Sequence, residues 1–337
     1  MTPKIMIILG SSSDMNIAEK SMDILDRLEI PYSLKIASAH RTPNLVREIV
    51  QRATDAGVEV FIGIAGLAAH LPGTIASYTP RPVIGVPVDV KTAGIDALQS
   101  IVQMPYPSPI ASVGIDRGDN AAILAAQIVA LEDDSVHERI INLRHEYARK
   151  VIDSNSDVES LERPYLQNEF LKVSDIDIKK QEVEELNCKN KDAEVAIIVG
   201  RQTDMATAKK VGVILERLKI TYDIKVVCPI RSTNKFRNYV KSMKNAKIFI
   251  GISSNSSQVT GGLVGITARP VIGVPCTNEN GDDYMLTTVS MPPGVPVATV
   301  GINNGKNAAV LAGEMLSIRD SHIVDVLEKL KDKKINL

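Results

Sequence analysis

The chain writes one pattern of strands, helices and loops twice, and that repeat is the strongest limit on what it can fold into. The run Ile7-Ile8-Leu9-Gly10-Ser11-Ser12-Ser13-Asp14-Met15 returns 190 positions later as Ile197-Ile198-Val199-Gly200-Arg201-Gln202-Thr203-Asp204-Met205. Arg81-Pro82-Val83-Ile84-Gly85-Val86-Pro87 returns unchanged at Arg269 to Pro275, at an offset of 188, so the second copy has lost about two residues in between. Copies of this length are two domains of one fold, because the units of a solenoid run to only roughly 20–50 residues. The copies part company in chemistry. His40 is matched by Ile230 and His70 by Gln258, so the second copy has lost both imidazoles.

Within the first copy, short apolar runs alternate with helical spacing. Lys4–Leu9, Tyr32–Ala37, Val58–Ile64, Pro82–Val86 and Ala111–Ile115 read as strands, while Met15–Leu28, Leu45–Ala56 and Asn120–Leu131 carry apolar residues at helical intervals. Strands of this length separated by helices predict a parallel sheet covered on both faces. With right-handed crossovers the result is an α/β, flavodoxin-like three-layer (αβα) sandwich, present twice through internal duplication. Ser135–Ile152 reads as a further charged helix. The expected organisation is a first domain at 1–152, a polar, acidic linker at 153–192 and a second domain at 193–337 ending in a helix near Ser321–Lys331. Tyr165, Leu166, Phe170 and Leu171 are expected to anchor the linker to the surface.

Bulk properties narrow the function. Of 337 residues, 44% are hydrophobic and 23% charged, which suits a soluble protein with room for two cores. A formal net charge of −1 gives no electrostatic reason to expect nucleic acid or an anionic membrane as partner. Cys188, Cys228 and Cys276 show no CxxC spacing, which argues against a zinc site or disulfide framework and fits a reducing compartment. No apolar run approaches the ~18 residues of a membrane span, and no cleavage signal is read at the start, so a cytoplasmic location is expected.

In open parallel sheets ligands bind beyond the carboxyl ends of the strands, and three segments of the first copy fall there. Gly10-Ser11-Ser12-Ser13-Asp14 offers hydroxyls and helix-start amides to a phosphate, while Asp14 would repel phosphate and suits sugar hydroxyls. The same residues serve equally well as an ordinary helix cap. Ser38-Ala39-His40-Arg41-Thr42-Pro43 offers a guanidinium fork for an anion and an imidazole to carry a proton, though a His-Arg pair in a loop is also ordinary solvated surface. Ala65-Gly66-Leu67-Ala68-Ala69-His70-Leu71-Pro72-Gly73 sets one histidine among small apolar residues, the lining of a dry, tight pocket or of a buried, satisfied histidine. Their joint occurrence in one sheet is the stronger signal.

With these residues laid out, the first copy resembles the aminoimidazole ribonucleotide carboxylase family of purine biosynthesis, and its mutase branch in particular. The family signatures GSxSD, SAHRTP and AGxAAHLPG stand at Gly10–Asp14, Ser38–Pro43 and Ala65–Gly73, and Val102-Gln103-Met104-Pro105 also matches. The resemblance covers residues 4 to 150. It implies that Ser11, Ser13, Ser38 and Arg41 hold the ribonucleotide phosphate, that Asp14 holds ribose hydroxyls, and that Ala65, Gly66 and Leu71 line the pocket. It makes His40 the proton carrier at the heterocycle and places His70 where the carboxyl group or carbon dioxide is held. It implies no cofactor and no metal, carbon dioxide or bicarbonate as the small partner, and a homo-oligomer of four chains giving eight domains. The product is 4-carboxy-5-aminoimidazole ribonucleotide, made from aminoimidazole ribonucleotide and carbon dioxide or from its N-carboxy isomer.

The second copy departs from these signatures. Ser11 becomes Arg201, Ser38-Ala39-His40 becomes Cys228-Pro229-Ile230, and Ala68-Ala69-His70-Leu71-Pro72-Gly73 becomes Ser256-Ser257-Gln258-Val259-Thr260-Gly261. That half is expected to be non-catalytic, with the Arg201 guanidinium filling the vacated phosphate site or the whole domain kept for assembly. A reading of another class is a nucleotide-binding regulatory module on the same fold. Flavin binding is disfavoured by 4% aromatics without Trp, and a phospho-receiver by a third strand that ends Ile64-Ala65-Gly66 with no Asp.

Overall fold

The computed structural model describes residues 2–167, 170, 171, 173, 190, 192–318 and 320–332. Strands Ile5–Leu9 (β1), Tyr32–Ile36 (β2), Val60–Gly66 (β3), Val83–Val88 (β4) and Ala111–Ser112 (β5) alternate with helices Met15–Arg27 (α1), Pro43–Asp55 (α2), Leu71–Ser77 (α3), Ile95–Val102 (α4) and Gly118–Val129 (α5). Asp134–Asp153 (α6) and Asn155–Glu159 (α7) lead away from this half. The order then repeats as Val195–Val199 (β6), Met205–Arg217 (α8), Tyr222–Val226 (β7), Thr233–Ser242 (α9), Ile248–Ser253 (β8), Gln258–Val264 (α10), Val271–Pro275 (β9), Met285–Val289 (α11), Ala298–Thr299 (β10), Gly305–Leu316 (α12) and Ser321–Asp332 (α13).

Each half has the expected flavodoxin-like order, β2-β1-β3-β4-β5 in the first and its image in the second. Their central strands are apolar runs rich in Ile and Val, buried on both faces as parallel strands under helices must be. Register puts Leu9 beside both Ile36 and Ile64, so β1, β2 and β3 end nearly level and their loops leave one edge of the sheet together.

The halves are joined more closely than two beads on a linker. The ten strands of the described residues form one sheet, β5 meeting β10 in an antiparallel pairing of Ser112 with Thr299. The sheets are thus parallel within each half and antiparallel only at the seam. On one face a single apolar core runs through both halves, from Ile62 and Leu124 to Ile250 and Leu311. On the other face each half keeps its own core, and Leu98 and Val102 of α4 pack with Met285 and Val289 of α11 across the seam.

One expectation about the connecting segment fails, and its first residues are helical, since α6 runs to Asp153 and α7 follows at once. Tyr165 and Phe170 are 97% and 85% exposed, and Leu166 and Leu171 are exposed too, so these side chains do not anchor the segment to the chain. Cys188 lies outside the described residues, and Cys228 and Cys276 are buried free thiols. Among the described residues no helix is long and apolar enough to cross a membrane. Strand Ala111–Ile115 shrinks to two residues because the chain turns at Gly114 into the left-handed Asp116 (φ 58°).

The seam carries an unusual polar pair. Ser112 and Thr299 are fully buried, and their hydroxyls have no hydrogen-bond partner among the described residues. A buried hydroxyl without a partner costs about 1–3 kcal/mol. Thr299→Val keeps the shape and removes the hydroxyl, so it is expected to stabilise the chain by roughly 1 kcal/mol in denaturant unfolding. A loss of stability of that size would show that the hydroxyl has a partner.

Candidate active site

The three loops predicted from the sequence converge on one cavity of about 510 Å³ at the level ends of β1, β2 and β3. Ser11, Ser13 and Asp14 line it from the first loop, Ser38, His40 and Arg41 from the second, and Ala65, Gly66, His70 and Leu71 from the third. Every predicted site residue therefore reaches the same space. Gly10, Ala39, Leu67, Ala68, Ala69 and Val90 complete the lining. Val90 had no motif to mark it. It follows β4, and the strand-end rule that found the other three loops applies to this fourth end as well.

The local geometry ties the loops to one another. Ser11 caps the short turn that leads into α1, its hydroxyl accepting from the Ser13 N–H at 3.3 Å. Ser13 Oγ donates to Asp14 Oδ1 at 2.8 Å. Asp14 itself is buried. Burial raises its carboxyl above the usual range, the Ser13 hydrogen bond works against that, and the charge of Asp116 adds to it. In the second loop the Ser38 N–H donates to Thr42 Oγ1 at 2.9 Å, and the Arg41 N–H donates to Ser38 Oγ at 3.2 Å. Arg41 then crosses to the first loop, its Nη2 donating to the Gly10 carbonyl at 3.0 Å.

The third loop is the one the sequence described least well. Leu67 holds a left-handed backbone (φ 58°), an uncommon conformation for a leucine and the kind of local strain that gathers at functional sites. His70 is not buried. It is the exposed N-cap of α3, with its imidazole stacked 6.1 Å from that of His40 at an interplanar angle of 18°. Leu67 and Ala68 are exposed as well, so in a single chain the pocket is open and not the dry, tight enclosure expected. Packing does not demand glycine at position 10, since a Cβ there would meet its neighbours at no less than 3.7 Å.

The second half keeps the frame and loses the imidazole side. Arg231 Nη2 donates to the Gly200 carbonyl at 2.8 Å, the image of Arg41 on Gly10, and Asp204 is buried like Asp14. A separate cavity of about 390 Å³ is lined by Arg201, Thr203, Asp204, Ser254, Asn255 and the Thr277–Asn280 loop. Neither Ile230 nor Gln258 reaches it. Gln258 meets Cys228 instead, Sγ to Oε1 at 3.6 Å. With the Asn255 amide oriented to satisfy both of its ends, its oxygen accepts from the two Arg201 terminal nitrogens at 2.5 and 2.9 Å. The guanidinium is thus turned onto the neighbouring loop, in the lining of this cavity.

Residues 4–150 and 194–336 each match the family model described as AIR carboxylase. The chain belongs to the AIR carboxylase family. A Methanobrevibacter smithii protein named "Probable N5-carboxyaminoimidazole ribonucleotide mutase" is 64% identical over 340 residues, covering 100% of both chains. A Methanothermobacter thermautotrophicus protein of the same name is 49% identical across 99% of each. The Methanocaldococcus jannaschii "N5-carboxyaminoimidazole ribonucleotide mutase" is 52% identical over 157 residues, which is 98% of that protein and 47% of this one. The solved structure of Treponema denticola PurE is 31% identical, with a TM-score of 0.43, and covers 48% of this chain and 99% of its own. AIR carboxylase family members of both one-unit and two-unit length are therefore among its relatives. Both units of this chain match the family, and only the first carries the two imidazoles.

Proposed function

We propose that the first half, residues 1–152, is a carboxyaminoimidazole ribonucleotide mutase unit, joined through 153–192 to a non-catalytic unit at 193–337. The observation that carries this reading is the meeting of three signature loops in one cavity with two stacked imidazoles. Full-length relatives named for the mutase favour it over direct carboxylation and over a regulatory module.

In this reading Ser11, Ser13, Ser38 and Arg41 hold the phosphate, and Asp14 accepts from the ribose hydroxyls. The carbamate N–C bond breaks and His40 gives a proton to the leaving nitrogen. The freed carbon dioxide is kept beside the ring by Ala65, Gly66, Leu71 and His70. The ring carbon, made nucleophilic by the amino group, attacks it, and His40 takes back a proton from that carbon. The proton borrowed equals the proton returned, so the step balances with one imidazole and no net acid or base. Fixing the gas next to its target replaces a bimolecular encounter with a local one. The exposed third loop fits a homo-oligomer in which neighbouring chains cover the site, four chains giving eight units, in the cytoplasm.

The test is to supply each ribonucleotide alone while varying bicarbonate. Carboxylated product from the N-carboxy isomer at a rate independent of bicarbonate is expected. Product only from aminoimidazole ribonucleotide with bicarbonate would assign the carboxylase reaction instead, and no product from either would end this reading.

A further inference from the structure

The half that lacks both site imidazoles holds the helix that carries one of them. Two-turn helix α3 is too short to be stable alone, and His70 is its N-cap. The His70 carbonyl accepts from both the Thr74 N–H at 3.0 Å and the Thr74 hydroxyl at 3.1 Å, so the His70 backbone moves with α3. At the other end, Lys331 on α13 donates through Nζ to the Ala76 carbonyl at 3.3 Å and to the Thr79 carbonyl at 3.0 Å. A cation is the group that carbonyls at a helix C-terminus attract. Lys331 is in turn held by Glu314 of α12, whose Oε1 lies 3.2 Å from Nζ, the two side chains being 19% and 2% exposed. Arg81, just beyond α3, returns the contact by donating to the Ile318 carbonyl at 3.1 Å.

The arrangement is reciprocal. Arg144 on α6 of the first half donates to the Val264 carbonyl at the end of α10 at 2.6 Å. Val264 lies 188 positions after Ala76, and Lys331 lies 187 after Arg144. Each half thus reaches across with its last helix to clamp the third helix of the other. In one direction the clamped helix begins at Gln258, which has no proton to move; in the other it is preceded by its N-cap, His70.

We propose that Lys331 is a positioning residue: by fixing α3 from its far end it sets the His70 imidazole opposite His40, and this is what the second half contributes to the reaction. The idea rests on the reading of His70 as a site residue, and its experiment has one readout that needs no turnover. In full-length Lys331→Met, the His70 ring resonances of ¹³C-histidine-labelled protein are expected to shift while those of His145 stay in place. Turnover is expected to fall about ten- to a hundredfold, the scale of small misplacements at a reacting centre. KM for the ribonucleotide should stay within about twofold, because its anchors sit on the β1 and β2 loops, and loss of bound substrate geometry is confined to turnover. Lys331→Arg should restore both readouts. If Lys331→Met does not fold, the Glu314→Gln, Lys331→Met double variant leaves no unpaired charge and is read in its place. Unmoved His70 resonances with wild-type turnover in the folded variant would overturn the proposal, as would equal losses in turnover and affinity. Should wild type convert neither ribonucleotide, the functional reading fails while the resonances still decide the clamp.

Discussion

His40→Asn is expected to lower turnover of the N-carboxy ribonucleotide by about 10²–10⁴-fold, the usual worth of a positioned general acid–base. Affinity for the ribonucleotide, read by calorimetry, should change by no more than a few-fold. Asparagine approximates the imidazole in reach and can hydrogen-bond, but it cannot take up and return a proton. The anchors proposed for phosphate and ribose, from Ser11 to Arg41, stay in place around it, and Arg41 keeps its bond to the Gly10 carbonyl. Such a loss in turnover with binding preserved marks a group that acts in the transition state and not in the ground state. A ribonucleotide sensor would be nearly indifferent to the change, so turnover within twofold of wild type would remove His40 from the chemistry. Restoring a histidine at Ile230 should not rescue the variant, because the second cavity does not include that loop.

Much of this molecule was legible in its sequence because the physics involved is local. Apolar runs of strand length separated by helical spacing fixed the parallel halves, and the rule that ligands bind beyond strand ends gathered ten residues that do share one cavity. What escaped was non-local. Nothing in Ala111-Ser112 or Ala298-Thr299 announces that two edges will pair, because an edge strand looks alike whether it faces water or a partner. The third loop does line the cavity, but its small, apolar letters misled by reading as a dry, tight enclosure, whereas Leu67, Ala68 and His70 stand exposed. In the fold Leu71-Pro72 opens a helix, with proline suited to the first turn, and His70 becomes its cap. The four apolar residues at 165–171 pattern as an anchor, yet the described chain offers them no surface. Lys331 was unreadable for the same reason: its partners stand 252 and 255 positions away.

Glu314→Gln is expected to make the chain more stable at pH 8 and to leave it unchanged near pH 4.5. Burial is the main reason that the Glu314 carboxyl is pushed from 4.5 up to about 7, with Lys331 pulling the other way. Its Oε1 faces Lys331, while Oε2 has no hydrogen-bond partner among the described residues, which leaves room for a proton. Between those pH values the folded chain holds a proton that the unfolded chain has released. Stability therefore falls as pH rises through the window, and above it the full cost stands, on the order of 3 kcal/mol. Gln carries no such cost, and the first half already places Gln127 at the matching position, 187 residues earlier. Denaturant midpoints of the two proteins should coincide at pH 4.5 and diverge toward pH 8, with the variant higher; parallel curves would show that Glu314 does not titrate there. A charge that lowers stability near neutral pH has to be explained by what it does, and here it faces the Lys331 ammonium that fastens α3. The same variant should accordingly turn over more slowly despite its higher stability, the trade expected where a strained contact serves a site.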